Sequence, residues 1–149
     1  MTELQIRRAS EADADAIVGL LGQLGYPAEA SEVSRRLDRI CSDDRMLILL
    51  AQKADKVVGL ATAHILSVLN RPRDVAWLTA LVVDESARGT GVGRALVTAV
   101  EEFARRMNCE KLSVTTHEDR TDAQAFYLRL GFDRTGRRFG KMLGPPPPS

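Results

Sequence analysis

Apolar residues recur along much of this chain at the spacing of a helix face. Between residues 92 and 107 they return every three or four positions, which predicts one long amphipathic helix. The same spacing over 17–24, 30–40 and 121–130 predicts three further helices, and a glycine follows the first and the last of these. We therefore expect four helices.

Runs rich in Val, Ile, Leu and Thr lie between these helices and predict strands. Two of them, residues 45–52 and 56–68, are separated by Lys-Ala-Asp and predict an antiparallel hairpin. Further strands are expected in 4–10, 74–84, 111–116 and both halves of 132–143, with a turn near Gly136. Because hairpins and strand–helix–strand units both occur, we expect an α/β (α+β) fold with a mixed sheet of about six to seven strands flanked by four helices.

Composition narrows the class of protein. The chain has 149 residues, of which 44% are hydrophobic, so we expect one domain over residues 1–143 and a flexible Pro-rich tail over 144–149. The formal net charge of +1 gives no reason to expect a nucleic-acid or membrane partner. Without a signal peptide or an apolar stretch of roughly 20 residues, a cytoplasmic location is expected. Cys41 and Cys109 lie far apart without nearby His or Cys, which indicates no metal site.

The stretch 87–96, Ala-Arg-Gly-Thr-Gly-Val-Gly-Arg-Ala-Leu, places three glycines directly before the long helix. The first amides of a helix have no internal partner, and the helix dipole adds positive charge there. Glycines leave room for a phosphate and permit the positive φ angles that turn amides inward. Arg88 and Arg94 flank the loop and suit phosphate contacts. The stretch predicts a diphosphate site, although a plain tight turn has the same composition.

Two known nucleotide-binding loops match this stretch less well. A Walker loop ends in Gly-Lys-Ser/Thr, whereas Gly93 is followed by Arg94 and Ala95. A dinucleotide fold has Gly-x-Gly-x-x-Gly early in the chain, whereas the glycines here have Gly-x-Gly-x-Gly spacing and lie past its middle.

Two segments resemble the GNAT superfamily of acyl-CoA-dependent N-acyltransferases. Residues 81–104 are similar to its strand, its Arg/Gln-x-x-Gly-x-Gly/Ala loop and its helix, with Arg88, Gly91 and Gly93 at the signature positions. Residues 122–132 resemble its Ala-x-x-x-Tyr-x-x-x-Gly-Phe element. The resemblance covers nearly the whole chain. It implies a centrally splayed sheet, acetyl-CoA as acyl donor, no metal, a primary amine of a small molecule or peptide as acceptor and, by analogy, a homodimer.

The resemblance implies a donor site residue by residue. Strand backbone would pair with the pantetheine arm, and loop amides would hold the pyrophosphate. The residues so implied are Leu81, Val82, Val83, Arg88, Gly89, Thr90, Gly91, Val92, Gly93, Arg94, Ala123 and Tyr127. Arg120 stands where relatives often have an Asn that reaches the pantetheine arm. It cannot accept a hydrogen bond, so it would donate to a carbonyl, an acidic partner or a phosphate.

The implied chemistry is direct attack of a neutral amine on the thioester, with a backbone N–H near Val83 polarising the carbonyl. Tyr127 would protonate the departing thiolate, and a core aromatic that caps the helix is the alternative role for it.

The general base stays open. Many relatives carry a Glu on the strand before the loop, where this chain has Thr79 and Ala80. His117 is our candidate because an imidazole titrates near neutrality. His64, Glu118 and a water chain are the alternatives.

The acceptor cleft of the family lies between the first two helices and the late hairpin. Tyr26 would lie at its rim, with Thr79 and His64 as further candidate contacts. The other side would carry three basic residues, Arg134, Arg137 and Arg138. They would favour an amine that carries a carboxylate or phosphate, but a solvated hairpin is the explanation that we prefer. A CoA-binding sensor or interaction module without turnover is the alternative function.

Overall fold

The computed structural model describes residues 3–116 and 120–148. The chain divides into two compact units at the bond between Val114 and Thr115. No helix among the described residues is both long and apolar enough to cross a membrane.

The first unit is built on a five-stranded sheet in which the strands follow one another in chain order. The strands are β1 (Leu4–Arg8), β2 (Met46–Lys53), β3 (Lys56–Leu66), β4 (Val75–Val83) and β5 (Lys111–Val114). Strands β1 to β4 pair antiparallel, and β5 pairs with β4 in parallel. The helices of this unit are α1 (Ala14–Leu24), α2 (Ala30–Cys41) and α3 (Val92–Arg106). These bounds confirm the predicted hairpin, the mixed sheet and the long helix.

An ion pair fixes the chain between β1 and α1. Both carboxylate oxygens of Asp13 accept hydrogen bonds from the Arg7 guanidinium, at 2.9 and 2.8 Å, and one also accepts from the Ser10 amide at 2.8 Å. The Arg7 guanidinium, helped by Ser10, lowers the pKa of Asp13 to about 2. The first helix therefore begins at a carboxylate that stays ionised throughout the physiological range.

Helices cover both faces of the sheet. On one face α1 and α2 form a buried cluster with β2, β3 and β4, made of Ile17, Leu20, Val33, Leu37, Ile48, Leu50, Leu60 and Val82. Gly59 precedes Leu60 in β3 and therefore faces the other side, which α3 covers. A Cβ on Gly59 would lie 2.9 Å from side-chain carbons of Val92 and Leu96. The absence of a side chain at Gly59 lets the first turn of α3 approach the sheet backbone.

Strand β4 contains one residue more than the matching stretch of β3. Thr62 pairs with Ala80, but the next residue, Ala63, pairs with Leu78, which leaves Thr79 as a bulge. In a regular strand, Leu78 and Val82 would share a face because they are four residues apart. The bulge sends them to opposite faces, and both are buried. Strand β4 thereby contributes to the core on both sides of the sheet.

The second unit contains helix α4 (Thr121–Arg129), which is followed by Gly131 at φ +94. The predicted strands in 132–143 are not confirmed, because described residues 131–148 contain no strand and the sheet has five strands instead of six to seven. The apolar side chains of this segment are not buried: Phe139, Met142 and Leu143 are all at least 90% exposed. A strand gains little stability when its side chains have no packing surface.

We predict that Gly59→Ala destabilises the protein. The new methyl group would meet the Val92 and Leu96 side chains at 2.9 Å and Ala51 at 3.3 Å, so α3 must move away from the sheet. Overpacking of this kind costs about 1–3 kcal/mol. Urea unfolding monitored by circular dichroism measures the loss.

Gly19→Ala is the matched control. Gly19 lies in α1, and a Cβ added there would meet no neighbouring element within 4 Å. The same substitution at this position should raise the unfolding free energy by about 0.5–1 kcal/mol, because alanine favours a helix over glycine. Equal stability of Gly59→Ala and the wild type would contradict the proposed close approach.

Candidate active site

Among the described residues, strand β4 has a parallel neighbour along only half of its length. The pairing of β4 with β5 runs from Val75 to Leu78, where it meets Val114 at the end of β5. The Asp84 amide donates to the Val58 carbonyl at 2.8 Å and so points toward β3. Peptide groups alternate along a strand, so those of Leu81 and Val83 point toward the open side. This half of β4 offers backbone donors and acceptors to an extended ligand.

Helix α3 begins beside this open edge without a capping side chain. Gly89 and Gly91 adopt φ +75 and +91, and Gly91 is the N-cap. The first helical hydrogen bond runs from the Ala95 amide to the Gly91 carbonyl, at 3.0 Å. Among the described residues, the amides of Val92, Gly93 and Arg94 have no acceptor. This geometry fits a phosphate group.

The third glycine of the loop has a different conformation from the other two. Gly93 lies inside the first turn of α3 and does not adopt a positive φ. Of the three glycines that permit a positive φ angle, Gly89 and Gly91 adopt one. The turn itself requires only Gly89 and Gly91, since left-handed backbone is strained for other residues.

The two arginines of the loop differ in their surroundings. The Arg88 Nε donates to the Val83 carbonyl at 3.1 Å and so ties the loop to the end of β4. Arg94 lies exposed in the first turn of α3 and forms no hydrogen bond or ion pair with another described residue. Arg94 and the remaining guanidinium nitrogens of Arg88 supply positive charge at the helix end.

A network centred on Asp84 holds the turn that leads into the glycine loop. Its carboxylate caps a short helical turn by accepting from the Ser86 amide at 3.0 Å, and it accepts from Gln23 Nε2 at 2.7 Å and Lys56 Nζ at 3.4 Å. The Gln23 side-chain oxygen in turn accepts from the Glu85 amide at 3.1 Å. Hydrogen bonds from Ser86, followed by Gln23, hold the pKa of Asp84 well below its usual range. Helix α1 is thus fastened to the loop by one glutamine.

The bulge brings two hydroxyl groups together. Thr79 Oγ1 and Thr62 Oγ1 are 2.6 Å apart. His64 follows Thr62 by two residues and shares its face of β3, where it pairs in register with Trp77. Threonine hydroxyls do not take up protons near neutral pH, so the partly exposed His64 is the one described base candidate on this face. His117 and Glu118 lie outside the described residues.

Helix α4 of the second unit contains Tyr127, which is 9% exposed. Its ring packs edge-to-face against Phe126 and Phe132, with centroids 5.2 and 5.5 Å away. Burial raises the pKa of the Tyr127 phenol to about 12, against a smaller opposing effect of Arg120. Arg120 Nε lies 3.8 Å from Asp122 Oδ1, so it has an acidic partner.

Two further candidate residues, one for each site, lie in α4 and just after α1. Ala123 is partly buried in α4, and Tyr26 is exposed just beyond the end of α1. No group of three His, Cys, Asp or Glu side chains suited to a metal ion occurs among the described residues.

Comparison with known proteins identifies the family. The model of the acetyltransferase (GNAT) family matches residues 15–132. The chain belongs to the GNAT acetyltransferases. Its similarity to an aminoalkylphosphonate N-acetyltransferase of Salmonella typhimurium is 29% identity over 148 residues, covering 96% of this chain and 94% of that protein.

Two solved structures match the fold closely. A protein from Bacillus halodurans described as a transcriptional regulator is 25% identical, with a TM-score of 0.88 over 95% of this chain and all of its own. An aminoglycoside N-acetyltransferase in complex with CoA is 23% identical, with a TM-score of 0.86 over 95% of both chains. The second likeness concerns the fold alone.

Sequence reasoning missed the residues that position the glycine loop. Gln23 and Asp84 are 61 residues apart, and neither stands at a signature position of the two segments that resemble the family. The one available signal is that Asp84 lies two residues before Ser86 at the end of a strand, which is typical of an Asx turn. Nothing in the sequence indicates its partner on α1.

We predict that Gln23→Ala loosens this turn without unfolding the protein. The Glu85 amide loses its acceptor, and a hydrogen bond worth about 1 kcal/mol corresponds to roughly fivefold faster local opening. Hydrogen exchange of a peptide covering 84–91 measures the change. Gln5→Ala, at an exposed glutamine of β1, is the control and should leave that peptide unaltered. Unchanged exchange in Gln23→Ala would refute this role.

Proposed function

We propose that this protein is an acetyl-CoA-dependent N-acetyltransferase that transfers the acetyl group to a primary amine of a small molecule. The observation that carries the proposal is the start of α3 after two left-handed glycines, next to half of β4; within the described residues that start has no side-chain cap and that half has no parallel neighbour. Membership of the GNAT acetyltransferases supports it. We retain the expectations of a cytoplasmic location and a homodimer as predictions.

The donor side of the reaction rests on backbone groups. The amides of residues 89–94 would hold the pyrophosphate, with Arg88 and Arg94 adding charge. Leu81 and Val83 would pair with the pantetheine amides as if these belonged to a further strand. Pairing of this kind fixes the thioester relative to β4, so that an N–H near Val83 can polarise its carbonyl.

The chemical step is an acyl transfer. The amine nitrogen attacks the thioester carbonyl carbon, the C–N bond forms, and the C–S bond breaks with its electron pair going to sulfur. We assign the Tyr127 phenol as the acid that protonates the thiolate. Its raised pKa keeps the proton available at neutral pH. The amine loses its proton to a base that we leave open between His64, His117, Glu118 and water.

Three arginines after α4 favour one chemical class of acceptor amine. The described segment after α4 carries the exposed residues Arg134, Arg137 and Arg138. Together with the similarity to an aminoalkylphosphonate N-acetyltransferase, this charge favours an amine that also carries an anionic group over a polycation. A panel containing an aminoalkylphosphonate, an amino acid, a polyamine and an aminoglycoside separates these acceptor classes.

A CoA-binding sensor without turnover is the second candidate. It is favoured by Thr79 and Ala80 in place of a strand carboxylate, and by the similarity to a protein described as a transcriptional regulator. CoA binding without thiol release on any amine of the panel would support the sensor.

The donor assignment predicts the effect of Gly91→Glu. A side chain at φ +91 strains the turn, and its carboxylate would repel phosphate at the start of α3. We expect thiol release and calorimetric CoA binding to be abolished. Gly140→Glu adds the same side chain at an open position of the C-terminal segment and should bind CoA normally. Unaltered CoA affinity in Gly91→Glu would overturn the loop assignment.

The acid assignment predicts the effect of Tyr127→Phe. Loss of a general acid lowers kcat by about 100-fold or more, whereas the phenyl ring preserves the packing with Phe126 and Phe132. The Kd for CoA should change less than about threefold, since the proposed role places the phenol at the departing thiolate and not at a phosphate. Steady-state thiol release and calorimetry measure the two quantities. Equal kcat in both proteins would remove Tyr127 from this role.

A further inference from the structure

A lysine outside every recognised motif contacts the glycine loop. Lys53, the last residue of β2, places its Nζ 3.3 Å from Thr90 Oγ1. The Thr90 hydroxyl donates to the Ala87 carbonyl, so its lone pair accepts from the lysine. An ammonium group has three N–H donors, so two remain available. Lys53 is thus held beside the loop with donors to spare.

Lys53 differs from Lys56, the other lysine of the β2–β3 hairpin, in having no acidic partner among the described residues. Lys56 lies 3.4 Å from Asp84, which neutralises its charge. Lys53 has no carboxylate within 4.0 Å among the described residues, and its side chain is partly buried. A partly buried cation without a counter-ion, next to a helix start with free amides, favours an anion at this position.

We propose that Lys53 binds a phosphate group of the acyl donor and so contributes to selection of CoA thioesters. The proposal rests on the proposed function, since it assumes that CoA occupies the loop. The Thr90 hydroxyl fixes the ammonium group near the amides of residues 89–94, where a phosphate oxygen takes up the free N–H donors. Lys53 thereby extends the donor site from the α3 loop to the hairpin between β2 and β3.

Calorimetric titration with CoA tests this assignment. In Lys53→Met the Kd for CoA should rise about five- to tenfold, as expected for one partly solvated charged hydrogen bond. Lys53→Arg keeps the charge and should stay within about twofold of the wild type. Lys111→Met is the control, because Lys111 pairs with Val75 at the opposite end of β4. The increase in Kd caused by Lys53→Met should be smaller in about 0.5 M than in about 0.05 M NaCl, because salt screens a charge that solvent partly reaches.

Titration with 3′-dephospho-CoA shows which phosphate is bound. If Lys53→Met and the wild type bind 3′-dephospho-CoA with equal Kd, Lys53 contacts the 3′-phosphate. If the variant still binds this ligand more weakly than the wild type does, the lysine contacts the pyrophosphate. An unchanged Kd for CoA in Lys53→Met overturns the proposal, as does a loss that is equal at both salt concentrations. Failure of the wild type to bind CoA would instead refute the proposed function itself.

Discussion

The direct contact between the first turn of α3 and the backbone of β3 at Gly59 is the constraint on which the candidate site depends. Val92 and Leu96 occupy the space that a side chain at this position would fill. The helix start is therefore fixed against the sheet, and the link 84–91 must return from the end of β4 to that point within a few residues. Positive φ angles at Gly89 and Gly91 make such a sharp return feasible.

In the link 84–91 a side chain caps the short helical turn but not the start of α3. Asp84 caps the short turn before the loop, with Gln23 and Lys56 completing its hydrogen bonds. The start of α3 itself has no side-chain cap. Water satisfies exposed amides of this kind, and an anion can replace that water while gaining from the helix dipole. The close contact of α3 with Gly59 and the uncapped start of the helix are together consistent with the phosphate-binding role that we propose for this loop.

Sequence periodicity predicted the helices because α1, α2 and α3 each bury one continuous stripe. It could not reveal the bulge at Thr79, since the segment 74–84 is apolar on both faces and shows no alternation that an extra residue would break. Motif comparison located the glycine loop but not its supports, because hydrogen bonds such as that of Gln23 with Asp84 join distant parts of the chain. In the segment 132–143 the sequence predicted strands that the structure does not contain. Its apolar residues suggested them, but the side chains of Phe139 and Met142 are exposed.

The side chains at the bulge supply no base for proton transfer. Thr79 and Thr62 bind each other through their hydroxyls, and neither can serve as a base near neutral pH. Tyr127 cannot do so either, because a phenol with a pKa of about 12 retains its proton. An acceptor amine would therefore have to arrive neutral or lose its proton to a group beyond β4. If the amine arrives neutral, the acetylation rate would rise with pH until the amine is fully deprotonated. Tyr127 would remain protonated while the amine titrates.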